Sequence, residues 1–362
     1  MSIVLNLLVI AIVLLIAYWW ANQGAFSGFL HLLCVLAAAT IAFAVWEPLS
    51  VWLLSLGGVR VYAWGLGLLL PFAVLLFVFR LASDKFVPDN LNFPTAINYL
   101  VGGAFGAIAG IVSVGIVLLG GGLLQGEGSL MGHVGWARST QSQGRPIGNA
   151  ALWLPAHEIT ANVFATLSAG AMAPEAGSAS LKNRQPHLDR MSMGLLRDGA
   201  IGGKSAIAIA PKDVELLGTA FSPAMTLPAA LGGSQPVYAV GLQFRQPAFD
   251  FGEQFRMSAS QVRLIADAAR GRTAATAHPV GWTSAMAGGG RGFFAFDDTS
   301  NYVTSPPGQQ QVDAWLLFRG NDLGGLAPRF VQVKGLRLPI ASIEQLDAGA
   351  MMAKVMGQGD LT

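Results

Sequence analysis

The sequence predicts a membrane α-helical bundle of four transmembrane helices followed by a mainly-β domain, with an immunoglobulin-like sandwich as the leading topology. Three observations predict it. Four long apolar runs fill the first third of the 362 residues. Charge is scarce and uneven: 12% of residues are charged, against roughly 25% in an ordinary soluble protein. Before residue 125 the only charged side chains are Glu47, Arg60, Arg80, Asp84, Lys85 and Asp89. Beyond it, apolar residues recur at every second position in short segments separated by turn residues, the period of strands.

This switch of composition sets the expected organisation: a four-helix transmembrane domain over 1–125, a Gly/Ser-rich linker over 126–150, a soluble β-rich domain with an N-terminal helix over 151–340, and a tail over 341–362. A net charge of +2 with no basic run excludes nucleic acid as the expected partner. The single cysteine, Cys34, allows neither an intramolecular disulfide nor a thiolate metal cluster.

A helix needs roughly 20 apolar residues to cross a bilayer. The first run is Ile3–Trp20, with Asn6 its one strongly polar residue. No Lys or Arg precedes it and it ends in Tyr18-Trp19-Trp20, so it is expected to be retained as a span rather than cleaved as a signal peptide. The second is Phe26–Trp46, expected to stop at Glu47-Pro48, with the short stretch Leu49–Leu56 read as re-entrant or interfacial. The third is Val61–Phe79, which Pro71, with Gly65 and Gly67, should bend. The fourth is Ile97–Leu124. Five of the nine Trp, at positions 19, 20, 46, 52 and 64, fall at span ends, as an interfacial belt would.

In the fourth span Gly102, Gly106 and Gly110 recur every four residues and so share one helix face. Glycines on one face let a neighbouring backbone approach closely and gain dispersion contacts that lipid cannot match. This face is expected to be a packing seam within the bundle or a contact with a second copy.

In the polar part, Ile159, Val163, Phe164 and Leu167 sit at helical spacing within Trp153–Gly170. Pro174–Pro186 reads as a loop. Gln235–Arg245, Phe255–Ala266, Gly292–Phe296, Val312–Phe318 and Phe330–Ile340 read as strands. After Ile340 the chain is expected to be a short helix or without structure.

The run Ile97-Asn98-Tyr99-Leu100-Val101-Gly102-Gly103-Ala104-Phe105-Gly106-Ala107-Ile108-Ala109-Gly110 resembles the last transmembrane helix of the CvpA (colicin V production) family. Gly24-x-x-x-Gly28-Phe29 resembles that family's glycine-rich turn between its first two spans, and four spans in about 125 residues match its plan. The sequence departs from the family in two places. No basic residue occurs before Arg60, and Ile97-Asn98 replaces the Asp-Arg pair usual before the glycine helix. The resemblance covers residues 1–125 and implies a multi-pass protein of the bacterial inner membrane, linked to toxin export and envelope stress.

Some members of that family carry a trypsin-like protease domain after their spans. The Gly-Asp-Ser-Gly-Gly signature of such a domain is missing from residues 126–362, as is a G-x-S-x-G elbow. Ser284 precedes Gly288-Gly289-Gly290 but has no acidic neighbour. His157-Glu158 begins like a zincin motif, yet Ala161 stands where the second ligand belongs. His31, His133, His157, His187 and His278 show no ligand spacing. His31, near an end of the second span, could reach headgroups or serve a proton relay. Gly202-Gly203-Lys204-Ser205 ends like a phosphate loop, but Asp198 occupies the position that needs the first glycine. The expectation is therefore no enzyme activity, no catalytic residue, no cofactor and no metal.

Two functional readings follow. In the first, the β-rich domain binds an unknown protein, an envelope component or another copy of the chain, with the lipid bilayer holding the rest. In the second, the spans form a small channel or transporter. A pathway normally needs several inward polar groups, and the spans offer Asn6, His31 and a few Ser/Thr, which favours binding. Arg80 and Lys85, between spans three and four, belong on the cytoplasmic side. That places the C-terminal domain outside the cytoplasm.

Overall fold

The computed structural model describes residues 3–87, 91, 93–124, 131, 136–138, 146–148, 151–170, 180–195, 208–228, 233–249, 254–268, 273–286, 288–298, 300–305 and 308–357. The chain divides into two compact units. One comprises Met1–Gln125, Ser129–Gly135 and Ala150–Ala165; the other comprises Gly126–Gly128, Trp136–Asn149 and Thr166–Thr362.

The first unit holds α1 (Ile3–Gln23), α2 (Ala25–Ser55), α3 (Ala63–Phe86) and α4 (Thr95–Leu123). With the 3-10 segment that leads into α3, all four are long and apolar enough to cross a membrane. The chain is a multi-pass membrane protein by that measure. Many of the large apolar side chains face outward, among them Leu14, Leu15 and Phe77, which are 62%, 64% and 65% exposed. In water such a surface would be unfavourable, whereas lipid solvates it.

A single residue, Gly24, joins α1 to α2. Its φ of 95° lies in the left-handed region, which glycine enters without a Cβ penalty. The second span does not stop at Glu47-Pro48. Helix α2 runs through Pro48 to Ser55, so Leu49–Ser55 is its last two turns and not a separate re-entrant segment. A proline removes one backbone bond, but packing on the far side of it keeps the helix going: Ser50, Leu53 and Leu54 are all buried. The indole Nε1–H of Trp46 also donates to the carbonyl of Trp64 at 2.9 Å, with the two rings 5.9 Å apart and edge to face. Both residues are almost wholly buried. They serve the interior of the bundle, while Trp19 and Trp52, 61% and 57% exposed, remain available to an interface.

The second unit begins with β1 (Trp136–Arg138) and β2 (Pro146–Gly148), an antiparallel pair within the segment expected to be a linker. Helix α5 (Ala156–Ala169) lies in the first unit through Ala165. Of the apolar stripe expected here, Phe164 is buried and meets Phe43 with ring centroids 5.1 Å apart, whereas Ile159 and Val163 are exposed and the rest of the buried face is Ala156, Thr160 and Ala161. A short helix α6 (Leu181–Arg184) follows, inside the stretch expected to be a loop.

The strands are β3 (Val214–Thr226), β4 (Ser234–Arg245), β5 (Arg256–Met257), β6 (Val262–Ala266), β7 (Thr276–Ala277), β8 (Pro279–Ala285), β9 (Arg291–Ala295), β10 (Val303–Thr304), β11 (Gln311–Arg319), β12 (Pro328–Val333), β13 (Leu336–Pro339) and β14 (Glu344–Gln345), with α7 (Ala348–Val355) last. They form a six-stranded sheet in the order β14-β3-β4-β11-β8-β9, a four-stranded sheet in the order β13-β12-β6-β7, and the pair β10-β5. The edge pair β14-β3 is parallel. The coarse plan, helices followed by sheets, is the one expected. Its strand counts exceed the four and three of a constant-type immunoglobulin sandwich.

The six-stranded sheet is buried on both faces. On one, Val237, Ala239, Val280 and Leu317 pack against Met351 and Val355 of α7. The Thr283 hydroxyl donates to the Val355 carbonyl at 2.5 Å. Among the described residues after Ile340, β14 adds an edge strand and α7 covers this core. On the other face Phe244 stacks on Phe255 at 4.3 Å, and Trp282 lies 4.3 Å from Phe296.

Of the longer strands, β3 and β8 have no signal in the alternation of polar and apolar residues. β3 contains Gly218 and Pro223 and shifts register twice, between Leu216/Gly218 and between Ser222/Met225, so its period breaks. β8 is buried on both faces and carries small residues such as Gly281 and Ser284.

Candidate functional site

The site residues expected from sequence, Gly102, Gly106 and Gly110, all face α1. A Cβ on Gly102 would lie 2.6 Å from the Trp20 carbonyl oxygen, and one on Gly106 would lie 2.8 Å from the Trp20 Cβ and 3.0 Å from the Ala17 Cα. At Gly110 the nearest atoms, of Ile16 and Val13, are at 3.4 Å. The seam is therefore tightest at its first two members and relaxes at the third. The side of Gly28 meets the same helix, its Cβ position falling 3.1 Å from the Gly102 carbonyl oxygen. Beside it, Asn98 accepts the Ala25 N–H at 3.2 Å and donates to the Phe93 carbonyl at 2.9 Å. The two segments that carry the family resemblance, Gly24–Phe29 and Ile97–Gly110, thus meet in space.

Further close approaches lie off the four-residue spacing. A Cβ on Gly67 would fall 2.2 Å from the Ser50 hydroxyl, one on Gly115 2.1 Å from the Thr160 hydroxyl, and one on Gly120 2.4 Å from Leu69. Each faces a different neighbour, so no single periodicity reveals them.

Asn6, His31 and Arg80, polar side chains of the first unit, pack against tryptophans. Asn6, 1% exposed, accepts the backbone N–H of Trp153 at 2.7 Å. His31 stacks on Trp20 with centroids 4.3 Å apart, and the Arg80 guanidinium sits 4.8 Å above the same indole.

The other candidates for chemistry stay apart. Ser284 lies in β8, 5% exposed, paired with Ala314 on one side and Gly292 on the other. His157 and Glu158 adjoin each other at 3.9 Å. Among the described residues no cluster of three His, Cys, Asp or Glu side chains could hold a metal. His133 and Gly202-Gly203-Lys204-Ser205 lie outside the described residues.

A buried polar network centres on an arginine that the sequence alone does not single out. Arg263, on β6, is 5% exposed. Its Nε donates to Gln332 at 2.6 Å and its Nη1 to the Pro186 carbonyl at 2.9 Å. The Gln332 amide in turn donates to Gln185 and to the Gly335 carbonyl, both at 3.0 Å. Burial draws the guanidinium down to about 10, opposed by the Asp189 carboxylate, which leaves it charged at neutral pH. The only signal in sequence is an arginine between Val262 and Leu264 in an apolar strand, which reads equally well as a solvent-facing residue.

No protein-family model, curated protein or solved structure matches this chain.

Proposed function

We propose that this chain is a CvpA-like protein of a bacterial inner membrane whose β-rich domain, held outside the cytoplasm, binds a partner from the envelope or a second copy of the chain, without catalysing a reaction. The observation that carries this reading is how the polar groups of the first unit are used. Asn6 satisfies the Trp153 N–H, Asn98 the Ala25 N–H, and Thr40 and Ser55 donate to Leu36 and Trp52 of their own helix. Asn6 and Asn98 tie separate segments together and Thr40 and Ser55 are satisfied within α2, a use of polar groups that favours packing over a passage. Against this background, a large domain with its own two-faced core supplies the surface for binding.

The second reading, a small channel or transporter, has one observation in its favour. The Ser50 hydroxyl is buried without a hydrogen-bond partner among the described residues, close to Gly67 in the helix that contains Pro71.

Photo-crosslinking in cells distinguishes the two. A photoreactive residue is placed in turn at Leu217, Met286, Phe294 and Leu326, which are exposed positions of the β-rich unit. The binding reading expects an adduct of defined mass from at least one position. If none forms, and the purified chain passes ions or solutes when reconstituted in liposomes, the channel reading replaces it.

A further inference from the structure

We propose that the β-rich unit binds one small monovalent anion, of the size of chloride, between Arg263 and Gln261. A cavity of about 10 Å³ is lined by Arg190, Ser260, Gln261, Arg263, Gln332 and Gly335, among others. That volume suits a single small guest.

Two donors that line this cavity have no partner among the described residues: Nη2 of Arg263 and Nε2 of Gln261. Both side chains are at least nine-tenths buried, at 5% and 1% exposure. The Gln261 amide is fixed in orientation, because its Oε1 accepts the Ser258 N–H at 3.0 Å and so turns Nε2 away from that bond. Arg263 makes its two direct hydrogen bonds to neutral oxygens. Asp189, the carboxylate that acts on it, pairs with Arg190 at 3.4 Å. Two cations therefore share one carboxylate around the cavity.

The choice between water and an anion turns on acceptors. A buried water accepts from the two free donors but must also place its own two protons. The side-chain oxygens that line the cavity each already hold a hydrogen bond, Gln332 from Arg263, Gln261 from Ser258, and Ser260 with the Ser258 hydroxyl at 2.8 Å, so the protons of a water would have to share them. An anion needs no acceptor, satisfies both donors, and balances the guanidinium charge, which is costly to bury alone.

The test uses the full chain in detergent. Its melting temperature is measured in sodium chloride, sodium bromide and sodium gluconate at equal ionic strength. Chloride and bromide are expected to raise it along a saturating curve, as a ligand of the folded state does, whereas gluconate is not. Gln261→Glu keeps the acceptor for Ser258 and replaces the free donor with a carboxylate beside Arg263. This variant is expected to melt without dependence on chloride, at least as high in gluconate as the parent does. Crystals of the parent grown in bromide are expected to show an anomalous peak between Arg263 and Gln261, a readout that stands even if the variant does not fold. Equal melting in chloride and gluconate, or an ordered water at that position without anomalous signal, overturns the proposal.

Discussion

The side-chain oxygen of Asn6 accepts the backbone N–H of Trp153 at 2.7 Å, so a polar residue in the first turns of the chain holds a segment 147 positions later. Asn6 is the polar exception in an otherwise apolar run, and this bond is a reason for it. Replacing it with leucine leaves the Trp153 N–H without its acceptor in a part-buried site. Such a loss costs about 0.5–1.5 kcal/mol. Asn6→Leu is expected to lower the melting temperature in detergent and to speed hydrogen exchange at the Trp153 amide. Unchanged exchange there would show that the bond does not form.

The glycine seam makes a graded prediction. At Gly106 even a methyl group would sit 2.8 Å from the Trp20 Cβ, so Gly106→Ala must move α1, and Gly106→Leu must move it further. Overpacking of this kind costs about 1–3 kcal/mol, occasionally more. At Gly110, where the nearest atoms are at 3.4 Å, alanine makes ordinary contact and should be tolerated. Thermal melts of the three variants should rank Gly110→Ala nearest the parent and Gly106→Leu furthest from it. Equal melting of all three would dissolve the seam.

His187 supplies a dependence on pH. Burial, then the charge of Arg263, lowers its pKa from the ordinary 6.5, Asp189 opposes this and Arg190 adds to it. The unfolded chain therefore binds a proton more readily than the folded one. Stability from this group is fully present above about pH 6.5 and is lost as the pH falls towards the lowered folded value. Melting temperature should fall on acidification through that window, and His187→Gln should flatten the fall. A variant that loses stability with acid as steeply as the parent would assign the effect to other groups.

No hydrolase activity is expected. Ser284 is shut between two strands and 5% exposed, where neither a base nor a substrate reaches it. Ser284→Ala and His157→Ala should leave whatever phenotype the intact gene supports unchanged. Covalent labelling of the β-rich unit by an activity-based serine probe would reverse this expectation.

Topology is read from Arg80 and Lys85, which lie at the end of α3 just before α4. Basic residues in short loops favour the cytoplasmic side, and the placement of the β-rich unit outside it, as proposed above, makes a prediction. Alkaline phosphatase fused after Thr362 should be active, because that enzyme works only once exported. An inactive fusion, beside an active cytoplasmic reporter at the same position, would invert the assignment.

What the sequence determined by itself is what depends on runs of neighbouring residues. Four charge-poor stretches of the right length define four membrane helices, and regular alternation defines β4, β9 and β11, because both signals are local sums over a short window. The glycine face of α4 was likewise legible, since a four-residue spacing fixes a helix face.

Tertiary structure alone decided what those faces meet. Trp46 and Trp64 sit at span ends, as belt residues do, but a hydrogen bond between them draws both into the interior. Pro48 reads as a stop, yet packing of Ser50, Leu53 and Leu54 carries α2 past it. β3 hides behind two shifts of register, and β8 behind burial on both faces. Arg263 became a buried cation because α6's following turn, β6 and β12 enclose it, bringing Pro186 and Gln332 from 77 and 69 positions away in the chain. Contacts at such separations leave no local period, so they exist only once the chain has closed on itself.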